Sequence, residues 1–133
     1  MQKGATLTTP RQEKNLRVII AGSRDITDPE ALLDALQEVD WQISQVVCGM
    51  ARGADKLGYE WAKKNGIPIA EFPADWNRYG KSAGYKRNAE MARNADALLA
   101  LWDGVSRGTG NMIYLAACHN LRVHIFNPFD KEK

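Results

Sequence analysis

Net charge, long apolar runs, cysteine and histidine are all scarce in this sequence, and each shortage excludes something. Eighteen Lys and Arg against 16 Asp and Glu leave +2 over 133 residues. Such near-balance argues against a protein that coats polyanions generally, although a net value leaves local patches open. The longest apolar stretch, residues 97–102, is far too short to span a bilayer, so no membrane partner is expected. Residues 1–15 are polar and threonine-rich, unlike a secretory signal, and read as a flexible leader. The two cysteines, Cys48 and Cys118, lie in no metal-ligand spacing. They read as buried free thiols of a reducing, cytoplasmic compartment, with a single disulfide as the alternative. The two histidines, His119 and His124, have no Cys or acid at ligand spacing, so neither a metal nor another cofactor is expected. Neither falls where a Ser-His-Asp arrangement would need it.

What is present suits one domain. A hydrophobic content of 44% supports a sizeable core. Apolar, β-branched runs at 16–21, 45–48, 67–72, 97–101 and 122–126 read as strands. Between them lie four helical segments. The first opens on Asp28 as N-cap with Pro29 behind it, and puts Leu32, Leu33 and Leu36 on one face. The second runs from Ala54 to Asn65 and stops at Gly66. The third covers 83–94 and the fourth 109–120, while residues 73–82 read as a polar loop. Pro68 fits best at a sheet edge or at the start of the third strand. Strands separated by helices imply right-handed crossovers. The expected fold is therefore α/β, a single Rossmann-like domain over residues 16–128. It has a five-stranded, mostly parallel sheet with helices on both faces, and a charged tail at 129–133.

In such folds ligands bind beyond the carboxyl ends of the strands, where strand order reverses. The loops there are informative. Gly22, Ser23, Arg24 and Asp25 follow the first strand. Gly49, Arg52, Gly53 and Asp55 follow the second, and Asp103, Ser106, Arg107, Gly108 and Thr109 follow the fourth. Glycine allows close backbone approach, helix N-termini offer amides to anions, and arginine adds bidentate bonds to phosphate. One such loop is often only a tight turn; three together point to an oxyanion site. Asp25 and Asp55 cap helices or pair with arginines as readily as they meet a ligand. In the 73–82 loop, Trp76 either closes the core or stacks on a base, Tyr79 reads as structural, and Lys81 is exposed. Gly80-Lys81-Ser82 is not a P-loop, because Asp75 stands where its first glycine belongs, and the dinucleotide fingerprint is absent after the first strand.

Four stretches carry a resemblance. They are Gly22-Ser23-Arg24; Gly49 to Asp55 with its Ala-Arg-Gly-Ala-Asp ending; Gly84 to Asp96; and Trp102 to Thr109. Together they resemble the SLOG superfamily, and more closely its YspA-type, cpYpsA-related branch, common in bacteria and phages. The likeness covers about residues 16–128. The superfamily also holds the DNA-processing proteins and the Lonely Guy phosphoribohydrolases, which cleave the N-glycosidic bond of nucleoside monophosphates. Arg87 falls on the arginine of the Lonely Guy pattern, and Gly108-Thr109 on the Gly-Thr of its P-G-G-x-G-T-x-x-E loop. Met112 stands where that loop has its catalytic glutamate, and Asn88 replaces the lysine common beside the arginine. Methionine can neither stabilise an oxocarbenium ion nor activate water.

The resemblance and the loops together imply a nucleotide-like, phosphate-containing small molecule, held by a sensor or sequestering module. The alternative is a phosphoribohydrolase-like hydrolase, with Arg87 orienting phosphate and Glu90 or Asp103 supplying the carboxylate. Nucleic-acid binding, as in the DNA-processing relatives, needs a basic track with stacking aromatics; Lys63, Lys64 and Lys81 keep it open against the balanced charge. Relatives usually pair through helices, so a homodimer is expected.

Overall fold

Leu16–Gly22 is apolar at every position except Arg17, and its side chains are buried on both faces, as a central parallel strand requires. This strand, β1, organises the rest of the computed structural model, which describes residues 15–130. The order is β1, α1 (Pro29–Gln37), β2 (Ile43–Cys48), α2 (Ala54–Lys64) and β3 (Ile69–Glu71). Then come α3 (Trp76–Tyr79), a 3-10 turn (Gly80–Ser82), α4 (Ala83–Arg93), β4 (Ala97–Leu101), α5 (Arg107–Cys118) and β5 (Arg122–Phe126). The expected leader, apart from Asn15, and the last three residues of the expected tail lie outside the described residues.

The five strands are all parallel, in the order β3-β2-β1-β4-β5. Val18 faces Val46 on one side and Ala97 on the other; Ile19 faces Val47 and Leu98. Because side chains alternate along a strand, the sheet builds two cores. Val18, Ile20, Val46 and Leu99 pack with Leu32 and Ala35 of α1 and Ala54 and Ala62 of α2. Ile19, Val47, Leu98 and Ala100 pack on the opposite face with Met91 of α4 and Met112 and Ala116 of α5. This is the Rossmann-like, doubly covered α/β domain that the alternation of elements implies. The strand order reverses at β1, so the crevice opens between β1 and β4.

Several local expectations change. Leu33 is 40% exposed, because α1 turns its Ala31, Leu32 and Ala35 stripe inward and Leu33 lies off that stripe. Residues 73–82 are not simply a loop: the Asp75 side chain accepts the Arg78 amide and starts the turn of α3. The fourth long helix begins at Arg107 rather than Thr109. It ends two residues early, before Asn120, whose φ of 60° is left-handed. Cys118 is exposed rather than buried; Cys48 is buried, and both thiols are free. Among the described residues no helix is long and apolar enough to cross a membrane.

Gly58 lets α2 approach the sheet closely: an added methyl would sit 2.7 Å from Ile20 Cγ2 and 2.8 Å from Ile20 Cβ. Gly58→Ala sets up to ~1 kcal/mol of helix propensity against ~1–3 kcal/mol of overpacking. Overpacking wins here, because Ile20 is itself fully buried. The expected result is a urea midpoint lower by about 1–2 kcal/mol of stability at unchanged slope. An unchanged or higher midpoint would show that α2 can shift away from β1.

Candidate functional site

Three chain segments converge where the strand order reverses. After β1, the Ser23 amide donates to the Leu101 carbonyl of β4 (2.9 Å), and the Ser23 carbonyl accepts the Ala54 amide of α2 (3.2 Å). Ser23 is thus buried and fixed between two elements. Gly53 presses against this loop: its φ is +80°, and a Cβ there would lie 2.5 Å from the backbone of both Ser23 and Arg24. No other residue type fits.

The third segment starts α5. Asp103 accepts the amides of Val105 and Ser106, both at 2.8 Å, while its own amide donates to Ser23 Oγ (3.2 Å). Those amides, Ser106 first, hold the Asp103 carboxyl below the usual range. Ser106 Oγ lies 3.0 Å from Asp103 Oδ2 and 3.1 Å from Ser23 Oγ. The Ser106 side chain makes no capping bond, and the first helical bond runs from the Gly110 amide to the Ser106 carbonyl (3.1 Å). Among the described residues nothing therefore accepts the amides of Arg107, Gly108 and Thr109 at the positive end of a 12-residue helix. A Cβ at Gly108 would meet nothing within 4 Å.

These segments wall a cleft of about 450 Å³. Arg24, Arg52, Arg87 and Arg107 line it together with Ser23, Ser106, Gly108 and Thr109. The floor contains Met91 and Met112, each 1% exposed. Asp55, 5% exposed, is the buried carboxylate of the cleft and accepts the Ala51 amide (3.4 Å). Arg87 reaches in from α4, and its Nη1 donates to the Gly49 carbonyl. A Cβ at Gly49 would lie 2.7 Å from Asp55 Oδ2 and 2.8 Å from Arg87 Nη1, so both groups close over a position that only glycine leaves open. They attract across Gly49 rather than as a direct ion pair. Burial pushes the Asp55 carboxyl up to about 6, with Arg87 the main opposing influence. Burial lowers the Arg87 guanidinium, and Asp55 opposes that in turn.

Not every candidate residue reaches this cleft. Gly22, Ser23, Arg24, Arg52, Asp55, Arg87, Ser106, Arg107, Gly108 and Thr109 line it. Gly49 and Trp76 line an adjoining depression instead, and Gly53 supports the loop from behind. Lys81 is exposed in the 3-10 turn and borders neither space. Glu90 is exposed on α4 beside Lys86 and Arg93, in a separate depression on the far side of Arg87. Asp103 is turned into its own loop. Neither carboxylate offered as a substitute for the missing glutamate therefore lines the cleft. Trp76 is 52% exposed and does not close the core. Tyr79 takes Arg78 and Lys86 over its ring at 5.1 and 5.0 Å. His124 Nε2 lies 2.7 Å from Glu38 Oε1, outside the cleft. Among the described residues no group of three or more His, Cys, Asp or Glu could hold a metal ion.

Asn88 is a residue whose part the sequence concealed. It is 6% exposed, accepts Arg87 Nε (3.0 Å), and donates to Asn111 Oδ1 (3.0 Å) and the Gly108 carbonyl (3.3 Å). It ties the arginine of α4 to the first turns of α5. Its only signal in the sequence is that it displaces a lysine.

The geometry can be set beside known proteins. The family model of the YspA, cpYpsA-related SLOG family matches residues 16–79. The chain is also 41% identical over 103 residues to the Gene 61 protein of Mycobacterium phage D29, an alignment covering 70% of this chain and 82% of that protein. The chain belongs to this SLOG family. The matched residues hold the loops after β1 and β2; Arg87 and the α5 loop lie beyond them, so the fourth strand's contribution rests on the geometry above.

Asp55 makes the cleft sensitive to pH. Its pKa rises from 3.8 to about 6 in the folded protein, so the native state holds the proton more tightly than the unfolded chain. The resulting stability is complete below pH 4 and is lost as pH climbs through 6. Asp55→Asn should remove that loss. Relative to wild type, the variant should gain about 2–3 kcal/mol between pH 4 and pH 7.5 in urea denaturation. Parallel profiles would mean that Asp55 is better solvated than its burial implies.

Proposed function

We propose that this SLOG protein binds a nucleotide or nucleotide-derived ligand through its phosphate at the carboxyl edge of the sheet, as a sensor or sequestering module. The observation that supports this reading best is the uncapped start of α5 opening, with its own Arg107, onto a cleft that Arg24, Arg52 and Arg87 also line. Free amides and a helix dipole stabilise an anion without titrating, and guanidinium groups add charge-assisted bonds. Arg24, Arg52 and Arg107 are exposed and free to adjust, while Arg87 is half-buried and fixed by Gly49 and Asn88. Such a cleft selects compact phosphates over extended polyanions. Two free thiols fit the reducing cytoplasm as its location.

Binding is favoured over hydrolysis because of Met112. The residue three places after Thr109 is buried in the floor and carries no proton-transfer group. One observation supports the hydrolase as a second reading: Asp55 is a buried carboxylate in the cleft whose pKa lies near neutrality.

Native mass spectrometry of the purified protein, with extraction of any bound molecule, tests both readings, followed by calorimetry with nucleoside monophosphates and ADP-ribose. The binding module should return its ligand intact, and Arg52→Ala should weaken it about tenfold or more, the loss of one charge-assisted contact. Free base that accumulates with wild type and not with Arg87→Ala would replace the module by the hydrolase. No ligand on the protein and no heat with any of these compounds would remove both.

A further inference from the structure

The phosphate cleft has an annex. A second depression of about 350 Å³ shares Arg24, Ala51, Arg52 and Arg87 with it and then continues toward the loop after β3. The annex walls differ in character: Met50, Pro73, Ala74 and Trp76 replace the serines, the threonine and the helix N-terminus of the main cleft. The start of α3 adds no anion site, since α3 has four residues and Asp75 already accepts the Arg78 amide.

Two features show that this apolar wall is held out to solvent rather than left over from core packing. Trp76 is 52% exposed and belongs to neither hydrophobic core. The edge of its ring rests over Gly84 at the start of α4: a Cβ there would lie 3.5 Å from Trp76 Cη2 and 3.7 Å from Arg87 Nη2. The indole and the Arg87 guanidinium thus both border a residue with no side chain. Met50 is the second feature. Its φ is +64°, a left-handed conformation that residues with a Cβ avoid, and its side chain is 41% exposed. The Met50 amide donates to Cys48 Sγ (3.3 Å), which fixes the turn at which Met50 borders the annex.

We infer that the annex is a stacking compartment for the base of a nucleoside phosphate, with Trp76 as the platform, Met50 as the opposing apolar wall, and the ligand's phosphate in the main cleft beyond the shared Arg87. An indole face and a polarisable thioether suit a planar π-system, and a nearby guanidinium strengthens the stack. Stacking of this kind tolerates any base, since every base has a π-face. The annex therefore supplies affinity for nucleotides as a class over bare sugar phosphates.

This inference rests on the phosphate cleft proposed above, and the test separates the two. Calorimetry compares AMP, GMP, CMP and UMP with ribose 5-phosphate, on wild type, Trp76→Ala and Trp76→Phe. The monophosphates should bind wild type about tenfold or more tighter than ribose 5-phosphate. Trp76→Ala should erase that advantage and leave ribose 5-phosphate binding unchanged, which also shows that the variant is folded; Trp76→Phe should restore most of it. Equal affinities for all five compounds on wild type, or an advantage that survives Trp76→Ala, would overturn the stacking compartment and leave the phosphate cleft standing. If Trp76→Ala weakens ribose 5-phosphate as much as AMP, Trp76 shapes the main cleft and the inference fails. If none of the five binds, the phosphate cleft falls and the annex with it.

Discussion

A buried carboxylate and a half-buried guanidinium placed on either side of one glycine hold this cleft in shape. Asp55 enters from the first turn of α2 and Arg87 from α4, helices that cover opposite faces of the sheet. Removed from water, each charge is costly alone, and each lowers the cost of the other. The attraction crosses Gly49, whose carbonyl also accepts Arg87 Nη1, so the end of β2 becomes the fixed point between the two layers. Asn88 then carries the constraint onward to Gly108 and Asn111 of α5. A chain of contacts thus runs from α2 across the sheet edge to the helix whose amides face the ligand space.

That arrangement divides labour among the arginines. Arg87 is oriented before any ligand arrives, so its contact with an anion loses little conformational entropy. Arg24, Arg52 and Arg107 stand at the rim and can close on whatever Arg87 and the α5 amides have located. The carboxylates are divided too. Asp103 is consumed in shaping the α5 turn, and its hydroxyl partner Ser106 links it to the β1 loop. Asp55 remains at the floor, where a proton is gained or lost near neutrality. With Met112 also in that floor, the cleft has strong means of holding an anion and modest means of cleaving one.

The architecture was legible because parallel strands leave a simple trace. The two central strands β1 and β4 are nearly continuous apolar runs, since helices cover both faces, and the β4 and β5 boundaries follow directly from 97–101 and 122–126. The three ligand-facing loops were legible for a related reason: glycine and arginine have few uses together at a strand's carboxyl end. What escaped was tertiary. Nothing in the order of residues shows that Glu90, one turn from Arg87, borders a separate depression with Lys86 and Arg93, or that Asp103 spends its oxygens on its own loop. A helical neighbour and a nearby acid look alike in one dimension. Asn88 escaped because its partners, Gly108 and Asn111, lie on a different helix. Leu33 was misplaced for the opposite reason, since the buried stripe of α1 runs through Ala31, Leu32 and Ala35, and alanines mark a core face less plainly than leucines.

The low net charge follows from this design. A protein that steers an extended polyanion needs a long-range field, and +2 spread over 133 residues provides little. A pocket needs only local complementarity. Arg17 illustrates the contrast, since it sits at the amino end of β1, bound to Asp96 at 3.0 Å and neutralised there. His124 is engaged with Glu38, again away from the cleft. Among the described residues Arg24, Arg52 and Arg107 form no such ion pair, and they sit at the carboxyl edge, where the helix dipole of α5 has the same sign. Four arginines thus share one cleft with two acids, Asp25 and Asp55, while Arg17 is paired elsewhere. On the proposed reading, an anion small enough to sit within the cleft would meet those arginines together, whereas a polymer lying across the surface would meet a nearly balanced set of 18 basic and 16 acidic residues.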